Sequence, residues 1–454
     1  MTRQSESATL PNGSSEVLIQ RIAARRYSIA VIGLGYVGLP LALTAVQAGF
    51  AVTGFDISET RVSEIGRGIS FTTHVPPNAI SDALATGRFA TTTDFARLAD
   101  HDAIIIAVPT PLTRSRDPDL SHVEAAAEAV AACLRVGQLV VLESTTWPGT
   151  TTEIVAPILD RTGLRRGVDY FLAYSPERED PGNREFRTAA IPKVVGGDGA
   201  AAAALAEVLY RALVVEVVPV SSTTTAEAVK LTENIFRSVN IALVNELKLI
   251  YDKMGIDVWE VIEAAKTKPF GYMPFYPGPG LGGHCIPIDP FYLTWKAREF
   301  DFTTRFIELA GQINTAMPQH VVDRLAEVLD REQGLGLSQA SILVLGVAYK
   351  KNVDDLRESP SLRLIELLEQ RSSRVAFHDP HVPVIPYHAD HRGLAGRQSV
   401  ALTPEGLAGF NAVLIATDHD GVDYRELVRR ARLVVDTRNV CHRAGADAPH
   451  VFKA

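Results

Sequence analysis

Residues 27–38 read YSIAVIGLGYVG and decide the fold. The first six residues form a largely apolar run, typical of a strand covered on both faces, and a glycine-rich turn follows at once. Residues 39–48 are apolar over the length of a helix, and a second strand is predicted at 50–55, ending at Asp56. Strand, glycine-rich turn, helix, strand and acid in this order predict a dinucleotide-binding unit.

The three glycines and the acid have separate tasks in such a unit. Gly33 allows the tight turn, Gly35 lets the backbone approach a pyrophosphate, and Gly38 permits close packing of helix on strand. The helix N-terminus offers free N–H groups to the phosphates. Asp56, 18 residues beyond Gly38, is expected to bind the ribose 2′-hydroxyl and to repel a 2′-phosphate. The predicted cofactor is therefore NAD rather than NADP.

The composition excludes several classes of protein. The 454 residues are 46% hydrophobic, so we expect a large core. Asp and Glu total 53 against 45 Lys and Arg, which argues against nucleic acid as a partner because phosphate binding needs a basic excess. Three cysteines exclude a disulfide scaffold. No apolar run reaches the roughly 18 residues of a membrane span, and the polar N-terminus lacks the apolar block of a secretory signal, so we expect a cytoplasmic protein without a membrane partner.

Strands and helices alternate along the chain, which predicts an α/β fold with parallel, doubly wound sheets. Residues 224–254 keep a helical apolar period without a strong breaker and are predicted to form one long helix, a candidate domain connector and dimer element. A second, smaller α/β pattern follows it. We expect two Rossmann-like doubly wound domains joined by this helix. The predicted regions are a flexible leader at 1–26 with at most a short helix at 16–24, an NAD-binding domain at 27–221, a central helical region at 222–330 and a second α/β domain at 331–454.

Several polar residues stand out as candidates for chemistry. An isolated cysteine is usually a buried, inert thiol, but Cys285 lies in a Gly/Pro-rich loop, which favours a reactive one. A metal site at His284 and Cys285 is a poor alternative, because adjacent residues seldom reach one ion. Lys230 and Asn234 share a helical face, either in a polar pocket or along a solvated stripe. Thr110 and Thr145 follow predicted strands and could equally be turn residues, and Glu177 offers a carboxylate at the end of another predicted strand.

Taken together, these residues resemble the UDP-sugar 6-dehydrogenase family, NAD enzymes that oxidise the C6 alcohol of a sugar to a carboxylate by removing four electrons. The motifs stand in family order over about residues 27–439. They are GLGYVG at 33–38, VPTP at 108–111, EST at 143–145, SPE at 175–177, EAVK at 227–230, NE at 245–246, GGHCIPID at 282–289 and DDLRESP at 354–360. Residues 271–296 are most similar to the UDP-N-acetylglucosamine 6-dehydrogenase branch. Pro181 stands where UDP-glucose enzymes often carry a second glutamate, which leaves open the group that activates the hydrolytic water. His284 and Ile288 stand where those enzymes usually carry a serine and a cofactor-side lysine.

The resemblance implies a role for each matching residue. Cys285 matches the nucleophile, Lys230 and Asn234 match residues that hold the substrate and stabilise oxyanions, and Asp289 matches a polar partner of the thiol. Glu177 matches a substrate-side carboxylate that could act as the base for hydrolysis, and Thr145 matches a hydroxyl that positions water or cofactor. The other cofactor residues implied are Tyr36, Val37, Arg61, Thr110 and Arg357, and the other substrate residues are Tyr276, Gly278, Gly282 and Lys350.

The expected activity is NAD-dependent oxidation of a UDP-N-acetylhexosamine, UDP-GlcNAc first, to the uronic acid for surface polysaccharide or glycoconjugate synthesis. Cysteine thiohemiacetal and thioester intermediates are expected. The resemblance also implies a homodimer, a C-terminal UDP-binding domain and no metal. UDP-ManNAc and UDP-glucose are alternative substrates. A two-electron β-hydroxyacid dehydrogenase would need neither Cys285 nor a second α/β domain, and an inactive nucleotide-sugar-binding protein is the alternative that is not an enzyme.

Overall fold

The computed structural model describes residues 15–71, 75–113, 117–178, 188–283 and 285–454. The chain divides into two compact units. The first runs to Glu233 and takes up Phe291–Asp301, and the second comprises Asn234–Pro290 and Phe302–Ala454. The helix α8, Thr223–Met254, passes from the first unit into the second, within one residue of its predicted start.

Eight strands of the described ranges form the sheet of the first unit. Their order is β3-β2-β1-β4-β5-β6-β7-β8, and only the β6–β7 pair is antiparallel. The first six follow the order 3-2-1-4-5-6 that is typical of dinucleotide-binding folds, as the glycine motif predicts. The strands are β1 Ile29–Ile32, β2 Val52–Phe55, β3 Phe89–Thr92, β4 Ala103–Ile106, β5 Leu139–Leu142, β6 Phe171–Tyr174, β7 Lys193–Gly197 and β8 Val217–Val220.

Helices cover this sheet and bury its central strands. They are α1 Ser15–Ala23, α2 Gly38–Gln47, α3 Glu59–Gly66, α4 Ala79–Ala85, α5 Ser121–Ala131, α6 Ala156–Asp160 and α7 Ala200–Arg211. The short helix that the sequence allows within the leader is present, and it packs into the first unit. Residues 15–23 of the expected flexible leader form α1, because Leu18 and Ile22, one helical turn apart, are buried in the core of the first unit. The remainder of that leader, residues 1–14, lies outside the described residues.

Three further helices follow α8. They are α9 Val258–Ala265, α10 Asp289–Ala297 and α11 Phe306–Gln333. Across the described ranges, no helix combines the length and apolarity that crossing a bilayer requires.

The second unit contains the smaller α/β domain. Its five described strands are all parallel, in the order β10-β9-β11-β12-β13, which is the other common doubly wound arrangement. The strands are β9 Ser341–Leu345, β10 Arg374–His378, β11 Ala412–Ile415, β12 Val434–Asp436 and β13 Val451–Lys453. The helices are α12 Pro360–Gln370, α13 Pro404–Ala408, α14 Tyr424–Arg430 and α15 Val440–Arg443.

The two sheets repeat one structural device that no sequence repeat reveals. In the first unit, Gly33 follows β1 with a positive φ of 92°, and the backbone N–H of Leu34 donates to Asp56 at the end of β2 (3.0 Å). In the second unit, Gly346 follows β9 with a φ of 82°, and the N–H of Val347 donates to Asp379 after β10 (2.7 Å). In both sheets, the carboxylate after one strand (β2 or β10) accepts a backbone hydrogen bond from the loop after the neighbouring strand (β1 or β9).

Candidate active site

The glycine turn has the space that a dinucleotide diphosphate needs. A Cβ on Gly33 would lie 2.5 Å from the carbonyl oxygen of Ala107, and one on Gly38 would lie 1.8 Å from the carbonyl oxygen of Gly33, so both positions require glycine. A Cβ on Gly35 would meet nothing within 4 Å, which leaves open space beside the loop. Helix α2 begins here, and within the described residues no side chain caps its start at Val37. Its first N–H groups therefore suit a phosphate.

Asp56 is buried at the end of β2 and organises the adenosine side of this turn. Its Oδ2 accepts from the N–H of Leu34 (3.0 Å) and from Nη1 of Arg61 (3.1 Å), and its Oδ1 accepts from the N–H of Ser58 (2.9 Å). The guanidinium of Arg61 also lies over the ring of Phe71. The ring of Tyr36 packs edge-on against that same ring. Because each carboxylate oxygen has two lone pairs, Asp56 keeps acceptor capacity for ribose hydroxyls. The residues fit NAD.

The loops after β4 and β5 border the same edge of the sheet. Thr110 is buried, and its carbonyl oxygen accepts from the hydroxyl of Tyr292 in α10 (2.9 Å). The ring of Tyr292 packs against Trp147, two residues beyond the half-buried Thr145. Tyr292 was not singled out from the sequence. The aromatic pattern of residues 291–295 was the available signal, because three aromatics in one short helix need a surface to cover.

Lys230 and Glu177 meet in the first unit. Lys230 is buried on α8, and its Nζ donates to the main-chain carbonyl oxygen of Glu177 (2.5 Å). The carboxylate of Glu177 is bonded elsewhere: Oε1 accepts from the N–H of Arg178 (2.7 Å) and Oε2 accepts from Nζ of Lys193 (2.9 Å). Lys193 is a buried cation that the sequence interpretation missed.

Asn234 lies one helical turn beyond Lys230 on α8, and in the second unit it meets the cysteine loop. Its Nδ2 donates to Oδ2 of Asp289 (2.6 Å), and both side chains are buried. Cys285 opens the turn that leads into α10, and its carbonyl oxygen accepts from the N–H of Asp289 (2.8 Å). The thiol itself is free of disulfides and half-buried. Cys285, Asp289 and Asn234 thus form one hydrogen-bonded frame, and the adjacent His284 lies outside the described residues, as does Pro181.

The remaining predicted substrate residues line loops of the second unit. The N–H of Gly278 donates to Oδ1 of Asn245 (3.0 Å), and a Cβ on Gly278 would lie 2.6 Å from Nη1 of Arg438. A Cβ on Gly282 would collide with Tyr349, beside Lys350. Tyr276 stacks on Trp259 with ring centroids 5.7 Å apart.

Lys350 and Arg357, two further predicted site residues, lie between strand β9 and helix α12. Lys350 lies in the loop after β9, half-buried. Arg357 forms a two-pronged ion pair with Asp355 in the second unit, with distances of 2.6–3.0 Å. The sequence interpretation also missed Arg438, although an arginine directly after a buried strand of an open sheet lies where ligands of such folds bind.

Known proteins share this arrangement over nearly the whole chain. The family models for UDP-glucose/GDP-mannose dehydrogenases match at residues 27–214 (NAD-binding domain), 224–316 (central domain) and 343–443 (UDP-binding domain). The UDP-N-acetyl-D-mannosamine dehydrogenase of Pyrococcus horikoshii is 37% identical over 91% of this chain and 95% of its own. The UDP-N-acetyl-D-glucosamine 6-dehydrogenase of Pseudomonas aeruginosa is 37% identical over 78% of this chain and 83% of its own.

A solved structure agrees with these sequence matches. The structure of UDP-D-ManNAc dehydrogenase from Pyrococcus horikoshii superposes with a TM-score of 0.83 at 36% identity, covering 94% of this chain and 98% of its own. The predicted fold, two doubly wound domains joined by a long helix, is confirmed, and so is NAD as the cofactor. The chain belongs to the UDP-glucose/GDP-mannose dehydrogenase family of NAD-dependent oxidoreductases.

Proposed function

We propose that this protein oxidises the C6 alcohol of a UDP-N-acetylhexosamine to the carboxylate, with UDP-GlcNAc as the first candidate substrate. The observation that carries the proposal is the frame around Cys285. A half-buried thiol begins the turn whose Asp289 carboxylate is held by Asn234 at 2.6 Å. Relatives named for UDP-GlcNAc and for UDP-ManNAc are equally identical to this chain, so UDP-ManNAc is the second candidate.

The cysteine explains how one site performs two oxidations. NAD, when bound, would accept one hydride, so a second NAD would have to replace the NADH before the second oxidation. After the first, the C6 aldehyde has no alcohol carbon from which a second hydride can leave. Addition of Sγ of Cys285 to C6 forms a thiohemiacetal, in which C6 again carries a hydroxyl and a hydrogen that can leave as hydride. Loss of the second hydride and of the hydroxyl proton gives a thioester. Water then adds, the C6–S bond breaks, and the acid and the free thiol are released.

Each addition places negative charge on an oxygen of the substrate. The ammonium of Lys230 and the carboxamide of Asn234 are the donors we propose for that charge, and a buried donor is worth more than one in water. Of the two carboxylates considered for the hydrolysis step, we propose Asp289 as the base. Both oxygens of Glu177 already accept hydrogen bonds from Lys193 and Arg178.

The proposed binding residues divide between the cofactor and the nucleotide sugar. For NAD they are Gly33, Gly35, Tyr36, Val37, Gly38, Asp56, Arg61, Thr110, Thr145 and Arg357. For the UDP-sugar they are Glu177, Lys230, Asn234, Tyr276, Gly278, Gly282 and Lys350, to which we add Arg438. The planar guanidinium of Arg438 has the donor geometry that a diphosphate needs.

We also propose that two copies of the chain associate through α8. Phe236, Leu243 and Ile250 are exposed on this helix at intervals of seven residues, so they form one apolar stripe. A second copy presenting the same stripe would cover it in a symmetric dimer. Placement in the cytoplasm and in the synthesis of surface polysaccharide or glycoconjugates stays a prediction.

The test is a comparison of kcat/KM for UDP-GlcNAc, UDP-ManNAc, UDP-GalNAc and UDP-glucose with NAD, with the product identified as acid or aldehyde by mass. We expect the highest kcat/KM and an acid product with UDP-GlcNAc. A preference for UDP-ManNAc would change the proposed substrate and keep the chemistry. An aldehyde as the final product with every sugar would contradict the proposed chemistry.

A further inference from the structure

Lys193 lies opposite Glu177 because β7 runs antiparallel to β6. The observed register pairs Ala173 with Gly197 and Tyr174 with Gly196. Continued beyond the ends of the two strands, this register brings Glu177 opposite Lys193. Because β7 runs opposite to β6, its first residue lies at the carboxyl edge of β6, where ligands of doubly wound sheets bind.

The ammonium of Lys193 is buried between two carboxylates. Its Nζ donates to Oε2 of Glu143, which follows β5, and to Oε2 of Glu177, both at 2.9 Å. The side chain of Lys193 is 4% exposed and that of Glu143 is completely buried. The hydroxyl of Tyr210 from α7 donates to the other oxygen of Glu143. Burial alone would lower the pKa of Lys193, but the two carboxylates raise it above its ordinary value, so the bridge is an ammonium between two acceptors.

This bridge limits the movement of Glu177. If Glu177 moved away, it would break an ion pair in the interior and leave Lys193 with Glu143 alone, which is costly in a low dielectric. Glu177 is fixed at its other oxygen as well, since Oε1 accepts from the N–H of Arg178 at 2.7 Å. Its side chain therefore folds back on its own backbone, and the position of the carboxylate determines the position of the adjoining main-chain carbonyl.

That carbonyl oxygen accepts the hydrogen bond from Nζ of Lys230 at 2.5 Å. We propose that Lys193 is a positioning residue for Lys230: by holding Glu177 against Glu143, it fixes the main-chain carbonyl that aims the Lys230 ammonium. The inference rests on the proposed function, in which Lys230 stabilises charge on the reacting oxygen. Lys193 acts only through Glu177.

The test uses the full-length protein with UDP-GlcNAc and NAD, and it compares Lys193→Met with Lys193→Arg. We expect Lys193→Met to lower kcat by about 10²-fold while the KM for UDP-GlcNAc changes by less than about threefold, because misplacing a transition-state donor affects the chemical step. Lys193→Arg keeps a cation that can bridge the two carboxylates and should restore kcat to within about fivefold of wild type.

Lys296→Met is the matched control. Lys296 is also a buried lysine of the first unit that bridges two carboxylates, Glu153 and Glu299, each at 2.6 Å. We expect its loss to lower stability and to leave kcat within about twofold of wild type. If Lys193→Met does not fold, Glu143→Leu/Lys193→Met removes the ammonium together with its most buried carboxylate and should show the same loss of kcat.

Two results would overturn the inference. One is a kcat within about threefold of wild type in folded Lys193→Met or in the double variant. The other is a folded Lys193→Arg variant as slow as Lys193→Met. A wild-type protein that oxidises none of the four nucleotide sugars would refute the proposed function instead, so the two failures are distinguishable.

Discussion

Asn234 of helix α8 donates a hydrogen bond of 2.6 Å to the carboxylate of Asp289, four residues after Cys285. Both side chains are buried, and the N–H of Asp289 donates to the carbonyl oxygen of Cys285 at 2.8 Å. The contact ties a residue of the long helix to the turn that carries the thiol. It gives the cysteine loop a fixed frame even though its sequence is rich in glycine and proline.

Asn234→Ala removes one donor to the proposed oxyanion and frees Asp289 from its partner. We expect kcat to fall by about 10²–10³-fold, the usual cost of losing one such donor. Steady-state kinetics with UDP-GlcNAc and NAD measure it. Asn240→Ala is the control, since Asn240 lies on the same helix and, among the described residues, its side chain bonds within that helix to the carbonyl of Phe236. Equal kcat values in the two variants would contradict the role of Asn234.

Asp56→Asn should weaken the preference for NAD over NADP. The substitution removes the charge that repels a 2′-phosphate and releases the guanidinium of Arg61, which pairs with Asp56 at 3.1 Å. We expect the ratio of kcat/KM for NADP to that for NAD to rise by about tenfold, about 1.4 kcal/mol. Adding Arg61→Ala should remove most of the gain. An unchanged ratio in Asp56→Asn would mean that this carboxylate does not face the ribose.

Glu227 should make the protein less stable as the pH rises from about 4.5 to 7. It is buried on α8 and accepts from the N–H groups of Gly149 and Thr151 and from the Thr151 hydroxyl, at 2.6–2.8 Å. Burial raises its pKa from 4.5 to about 7, although those hydrogen bonds act in the opposite direction. The folded state therefore binds a proton that the unfolded state has released between these values.

The stability that this proton contributes is fully present below pH 4.5 and is lost as the pH passes 7, about 3 kcal/mol at most. Glu227→Gln should flatten this part of the profile, which urea denaturation at a series of pH values measures. Glu128→Gln, an exposed carboxylate of α5, should leave the slope unchanged. Parallel profiles for wild type and Glu227→Gln would contradict the buried, proton-binding carboxylate.

Leu243→Lys should dissociate the proposed dimer. The substitution puts a charge in the middle of the stripe formed by Phe236, Leu243 and Ile250, where a partner helix would bury it without a counter-ion. Sedimentation equilibrium should give twice the chain mass for wild type and the chain mass for the variant. Val168→Lys, a change at another exposed apolar residue, should remain dimeric. A monomeric wild type would refute the association through α8.

The parts of the fold that follow from local spacing could be predicted from the sequence. The geometry of the turn at Gly33, Gly35 and Gly38 follows from the identity and spacing of these residues and Asp56. Helix α8 has an unbroken helical apolar period. The strand β7 was not predicted, because Lys-Val-Val-Gly-Gly combines a charge with two glycines and has no clear strand pattern.

The role of Lys193 depends on that missing strand. Only the antiparallel register of β6 and β7 brings Lys193 opposite Glu177, and register is set by tertiary pairing rather than by local residue preference. The burial of helix α1 was not predicted for a related reason: two apolar residues, Leu18 and Ile22, are too few to indicate a buried helical face from the sequence alone. Distant contacts, rather than local patterns, determine both elements.

The central claim is that Cys285 lets one site carry out two successive oxidations. The most direct measurement is the amount of NADH formed per UDP-GlcNAc consumed, with the sugar limiting, for wild type and for Cys285→Ser. The account predicts two NADH and an acid product for wild type, with the variant unable to form acid at the wild-type rate. One NADH per sugar from wild type, or acid formed by Cys285→Ser at the wild-type rate, would contradict it.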